Sequence, residues 1–154
     1  MAVIYLDTSA IVKRYALEDG TNWVINLTNY TTGHDLYIVR LAGPEMSAAL
    51  FRKARSGQIS VAGAVKAASS FRVDWQQQYR IIEVSSDVCD LAMDLAERYT
   101  LRGYDAVQLA AALVLQQARQ VSQLPGLRFV SADVEQLHAA QAEGLTVENP
   151  DNYM

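Results

Sequence analysis

A chain of 154 residues, 51% of them hydrophobic, is long enough to bury one sizeable core without disulfides or a structural metal. The lone Cys89 excludes an internal disulfide and a cysteine-built zinc cage, and no stretch approaches the roughly 18 apolar residues of a membrane span. A net charge of −4 disfavours a phosphate-rich partner only if the acids are spread evenly.

Val3 to Leu6 is a short apolar run ending at Asp7, the pattern of a buried first strand. From Thr8 the spacing turns helical until Asp19-Gly20, and Thr21 is placed to cap a second helix that closes at Thr32-Gly33. Leu36 to Val39 reads as the second strand, followed by Gly43-Pro44 and a helix of about three turns to Arg55, with Pro44 suited to its first turn. Val61, Val65, Ala68, Phe71, Trp75 and Tyr79 recur at helical spacing and predict an amphipathic helix over 61–79. Arg80 to Val84 supplies a third strand, and Ser86 is placed to cap a helix running to Tyr99. Asp105 opens another helix whose Ala110, Ala111 and Ala112 permit close packing. Leu127 to Val130 is the fourth strand, Asp133 to Ala142 the last helix, and Leu145 to Val147 a short edge strand. Strands alternating with helices predict an α/β fold, a parallel sheet of four to five strands flanked by helices on both faces. Residues 1–149 form one domain in this reading, with 150–154 a loose C-terminal tail.

Four carboxylates stand out, each expected where a strand gives way to a helix: Asp7, Glu45, Asp105 and Asp133. In an open parallel sheet the carboxyl ends of the strands share one edge, so acids distant in sequence converge there as a cation site. Without these four of its 17 acids the chain is neutral, with 13 Lys and Arg. Bound cations would cancel the ligand charges and attract phosphate, so net charge does not exclude a nucleic-acid substrate.

Leu6-Asp7-Thr8-Ser9-Ala10, the acid Glu45 opening the third helix, Tyr104-Asp105-Ala106-Val107-Gln108-Leu109-Ala110-Ala111-Ala112 and Val130-Ser131-Ala132-Asp133 resemble the four signatures of the PIN domain. The resemblance spans Val3 to about Val147, and its length and single-domain make-up are similar to the VapC-type toxins of prokaryotic toxin-antitoxin pairs. It implies a metal-dependent endoribonuclease with a Mg²⁺ or Mn²⁺ site, commonly a homodimer and inhibited by a small antitoxin. It also implies hydroxyls beside the metal, which Ser9 and Ser131 supply here. Gly43-Pro44 directly before Glu45 makes a stiffer start to that helix than the family pattern, which bears on how far Glu45 reaches.

The residue chemistry agrees. Clustered carboxylates raise each other's pKa unless cations hold them together, and hard oxygen donors suit Mg²⁺ or Mn²⁺ over zinc. One ion or two would serve to activate water and stabilise a leaving oxygen in phosphodiester hydrolysis. Asp7 and Asp105 are the expected direct ligands, with Glu45 and Asp133 binding through water or holding a second ion. Arg52, two turns after Glu45 on the same face, is the expected phosphate contact. Lys13, Arg14, Lys53, Arg55 and Arg102 read as scattered surface charge. Trp23, Trp75 and Phe71 read as core or dimer-interface residues, and Asp87, Asp90 and Asp94 as a solvated helix face.

No basic n-region precedes Asp7 and no disulfide framework exists, which together predict a cytoplasmic protein. A non-catalytic binding module on the same fold and a housekeeping RNA-processing nuclease are the alternatives. A receiver-type phosphoacceptor is disfavoured because no lysine follows Lys66.

Overall fold

The computed structural model describes residues 1–154 and contains one parallel five-stranded sheet. Its strands are β1 (Val3–Leu6), β2 (Asp35–Val39), β3 (Arg80–Ile82), β4 (Arg128–Val130) and β5 (Thr146–Glu148), in the order β3-β2-β1-β4-β5. Seven helices connect them: α1 (Thr8–Tyr15), α2 (Thr21–Leu27), α3 (Ala42–Arg55), α4 (Val61–Gln77), α5 (Ser86–Tyr99), α6 (Gly103–Val121) and α7 (Val134–Ala142). Right-handed crossovers from β1 to β2 to β3 put α1 to α4 on one face, and the return to β4 and β5 puts α5 to α7 on the other. The packing follows that division, with α1 against α2, α3 and α4, and α6 against α5 and α7.

Central position explains the apolar run of β1. All four of its residues are buried, because helices cover both faces and strands pair on both edges. Tyr5 of β1 lies in register with Phe129 of β4, and their rings stack at 5.4 Å. β1 is also where the chain's direction of travel across the sheet reverses, the position at which open α/β sheets form a crevice.

Several local expectations shift. Gly20, with φ +82°, caps α2 in place of Thr21, and that helix ends at Leu27, the expected closure at Thr32-Gly33 being a separate 3₁₀ turn over Tyr30–Thr32. Ser85 rather than Ser86 caps α5, its Oγ accepting the Val88 N–H at 3.2 Å. The apolar face of α4 is set by Ala64, Ala67 and Phe71, while Val61 and Val65 face outward. Asp87, Asp90 and Asp94 are exposed, as a solvated face requires.

The end of the chain is packed, contrary to the expected loose tail. Pro150 is buried, Tyr153 stacks on Trp23 at 4.7 Å, and Asp151 pairs with the buried Lys13 at 2.7 Å. Gly20 makes this docking possible, since a Cβ there would lie 2.4 Å from the Pro150 carbonyl oxygen. Gly20→Ala is therefore expected to cost about 2 kcal/mol or more, through the left-handed backbone and the displaced Pro150. A calorimetric melt should show a loss of roughly 5 °C, and an unchanged melting temperature would refute this account of the tail.

At the far end of α6, the Leu127 N–H donates to Gln116 Oε1 at 2.9 Å, and Arg119 Nε donates to the Pro125 carbonyl at 2.7 Å. These two contacts tie the loop before β4 to the helix that opens with Asp105.

Candidate active site

Asp7 follows β1 immediately, and its N–H donates to the Val130 carbonyl at 3.0 Å, joining the ends of β1 and β4. Its side chain is 4% exposed and serves as the N-cap of α1. Ser9 donates twice to Asp7 Oδ2, from its backbone N–H at 3.0 Å and its hydroxyl at 2.6 Å. Burial pushes the Asp7 carboxyl upward; the Ser9 and Gln136 hydrogen bonds oppose that, and the charge of Asp133 adds to it.

Ser131 and Asp133 come from the turn after β4. The Ser131 hydroxyl donates to Gln136 Oε1 at 2.8 Å, accepts the Asp133 N–H at 3.0 Å and lies 3.3 Å from the Ser9 hydroxyl. Ser9 Oγ in turn accepts the Ala132 N–H at 2.9 Å. The two serines thus lace the β1 and β4 turns together and fix the rotamer of Asp7. Asp133 caps α7 by accepting the Gln136 N–H at 3.2 Å.

Asp105 does not sit at a strand-to-helix turn. It lies in the first turn of α6, which follows α5 through Thr100-Leu101-Arg102. Desolvation first, then the charges of Asp7 and Asp133, push its carboxyl up to about 6. Glu45 lies in the first turn of α3, which begins at Ala42 with Gly43 and Pro44 already helical. Its carboxyl is pushed up to about 7 by desolvation and then by Asp7. Pro44 therefore leaves Glu45 within the electrostatic reach of Asp7.

Two glutamines absent from the sequence reading complete the arrangement. Gln136 is fully buried; its Nε2 donates to the Asp105 carbonyl at 3.1 Å and to Asp7 Oδ1 at 3.4 Å. Gln108 is also fully buried; its Oε1 accepts the Tyr5 hydroxyl at 2.7 Å, and its Nε2 donates to Thr8 Oγ1 at 2.9 Å and reaches Glu45 Oε1 at 3.5 Å. Because Tyr5 supplies a proton to one end of the Gln108 amide, the other end must face Thr8 and Glu45. Each glutamine lies three residues after an acid, on the same helix face amid apolar neighbours, and that spacing was the available signal. Gln136→Leu would strand the Ser131 hydroxyl and the Asp105 carbonyl. A cost of about 2 kcal/mol, near 5 °C in a thermal melt, is expected, and a loss under 1 °C would contradict it.

No Lys or Arg pairs with any of the four acids, although the chain forms ion pairs elsewhere. Buried carboxylates without a cation are costly, and the oxygen donor set fits a hard divalent ion. No three His, Cys, Asp or Glu side chains stand close enough together to hold a metal ion as they are arranged. Arg52 is exposed on α3, outside the hydrogen-bonded cluster, and its charge is felt at Tyr104, a phenol pushed up by burial and by Glu45. Lys13 and Arg14 are not free surface charges: Lys13 pairs with Glu18 and Asp151, Arg14 with Asp74.

No protein-family model matches the chain. In fold it is similar to VapBC2 from Rickettsia felis bound to a DNA fragment from their promoter (TM-score 0.63, 12% identity, 96% of this chain and 98% of that one). It is likewise similar to PAE2754 from Pyrobaculum aerophilum (TM-score 0.61, 24% identity, 99% and 87%) and to a toxin-antitoxin complex from Klebsiella pneumoniae (TM-score 0.60, 15% identity, 96% and 97%). At sequence level it is 34% identical over 116 residues to Ribonuclease VapC45 and Ribonuclease VapC49 of Mycobacterium tuberculosis strains CDC 1551 / Oshkosh and ATCC 25618 / H37Rv. The alignment covers 75% of this chain and 78% of each relative. With a five-stranded parallel sheet and relatives 34% identical over three quarters of its length, the chain belongs to the VapC ribonuclease family.

Proposed function

We propose that this chain is a Mg²⁺- or Mn²⁺-dependent endoribonuclease, the toxin of a VapBC-type pair. The observation that carries the reading is that burial and neighbouring carboxylates push the Asp7, Glu45 and Asp105 carboxyls up while no Lys or Arg is ion-paired to them. Asp7, Asp105 and Asp133, with Glu45, are the residues that would hold the ion. When bound, the ion supplies a water made acidic enough to attack and a charge to stabilise the leaving oxygen. The protein's own groups do the positioning. Ser9 and Gln136 hold Asp7, Gln108 orients Glu45, and the N-terminal turns of α3 and α6 set favourable dipoles around the acids.

The relatives' names supply the substrate, and the solved complexes supply the expected partner, a small antitoxin. A homodimer and a cytoplasmic location belong to the same proposal; no helix is long and apolar enough to cross a membrane. The test is incubation of mixed cellular RNA with the protein in Mg²⁺, Mn²⁺ or EDTA. Internal cleavage with either metal and none in EDTA is expected. Cleavage that persists in EDTA overturns the metal site, and a metal-binding protein that cleaves nothing favours the non-catalytic module. Growth arrest on expression, relieved by the product of a neighbouring short reading frame, separates a toxin from a housekeeping nuclease.

A further inference from the structure

α1 and α3 pack side by side and both start at the acid crevice. Thr8 and Glu45 lie within reach of the same Gln108 amide. One helical turn further on, about 5.4 Å, come Val12 on α1 and Ala49 on α3. These two residues line an open groove of about 610 Å³ together with Arg52, Lys53 and Arg55. The groove therefore begins one turn from the acids.

Two of the three cations that line it are unpaired. Lys53 is engaged by Glu18 at 2.7 Å, but neither Arg52 nor Arg55 pairs with any carboxylate, and both are exposed. Lys and Arg in a last helical turn ordinarily complement the helix dipole, as Arg52, Lys53 and Arg55 do here. Arg52 does something more. It lies on the face of α3 that carries Glu45 and Ala49, and its charge acts on Tyr104, whose phenol Glu45 also pushes up. Tyr104, next to Asp105 in the first turn of α6, is 43% exposed and free for a base to stack on.

We propose that the α1–α3 groove binds the backbone of single-stranded RNA beside the scissile bond, with Arg52 and Arg55 on successive phosphates and Tyr104 under a base. The proposal rests on the ribonuclease reading and adds a track to it. Unpaired guanidiniums suit phosphate oxygens, and the apolar floor of Val12 and Ala49 leaves sugars without a competing charge. A splayed strand suits a recessed cluster of acids better than a duplex does.

The test is fluorescence anisotropy of an end-labelled oligouridine, read over a salt series at fixed Mg²⁺ in an Asp105→Asn background that leaves the RNA intact. Arg52→Gln and Arg55→Gln remove no ion pair, so folding is preserved. Each should weaken binding roughly fivefold and flatten the logarithmic salt slope by about 0.7, the value for one single-strand phosphate contact. Tyr104→Leu should weaken binding without changing the slope, because stacking releases no counterion. Lys66→Gln, an equal charge change on α4, should do neither. Equal losses from Lys66→Gln and the groove variants mean diffuse charge and overturn the proposal. Displacement of the RNA by polyglutamate at equal charge makes the groove a site for an acidic protein and overturns it too. Groove variants that bind like the parent, while the protein without Asp105→Asn cleaves RNA, overturn the groove alone. A protein that neither binds nor cleaves RNA overturns the ribonuclease reading with it.

Discussion

Replacing Asp105 by Asn is expected to lower RNA cleavage by about 10³-fold and to raise the melting temperature of the metal-free protein. The first effect follows from the several kcal/mol that a correctly held divalent ion contributes to phosphodiester hydrolysis, since each 1.36 kcal/mol is tenfold in rate. The second follows from the desolvation and the Asp7 and Asp133 charges that push the Asp105 carboxyl up to about 6. Asn keeps the shape and removes the charge, and the only contact Asp105 shares with Gln136 is through its backbone carbonyl, which the change leaves in place. Because the group is half-exposed, the gain is discounted to about 1 kcal/mol, or 2 to 4 °C. Scanning calorimetry in EDTA and a cleavage assay in Mg²⁺ on the same preparation check both. A variant that is less stable and still active would remove Asp105 from the site.

Opposite pH dependences are expected for stability and for activity. Glu45 and Asp105, at about 7 and about 6 in the folded protein, lie above the values near 4 of the unfolded chain. Between those limits the metal-free native state holds protons that the unfolded chain has released. Stability then falls as pH rises through the window and is fully retained only below it. Metal binding needs the deprotonated acids, so cleavage at fixed Mg²⁺ should drop roughly 10- to 100-fold between about pH 8 and pH 5.5. Melts at the two pH values should show the metal-free protein more stable when acidified and Mg²⁺ narrowing or reversing that difference. A metal-free protein that is more stable at pH 8 would mean that the acids already have counter-charges.

The two central strands were legible from their apolar runs, Val3 to Leu6, buried along its whole length, and Leu36 to Val39 after the edge residue Asp35. Asp7 was legible for the same reason, as an acid where an apolar run ends. Asp105 was found by motif, while its setting between two helices was misread, since nothing local distinguishes a helix preceded by a strand from one preceded by another helix. The outward turn of Val61 and Val65 was hidden because periodicity gives a face and not what covers it. Gln108 and Gln136 were passed over as neutral amides in helices, although a buried amide inside an alanine-rich stretch must find partners. Docking of Pro150 to Tyr153 onto α2 depends on the left-handed backbone at Gly20, which a long-range contact reveals and a short sequence window does not.

The attachment of the loop before β4 to the far end of α6 closes a mechanical circuit. α6 is 19 residues long, about 28 Å, with Asp105 at its start and Gln116 and Arg119 gripping the chain that leads into β4. β4 returns across the molecule to deliver Ser131 and Asp133 beside Asp7. Gln136 then fastens α7 back to the Asp105 carbonyl. Asp105 and Asp133 thus bound one stretch of chain that is tied back at both ends, at Gln116 far from the acids and at Gln136 beside them. Gln116→Ala, far from any acid, removes the outer tie.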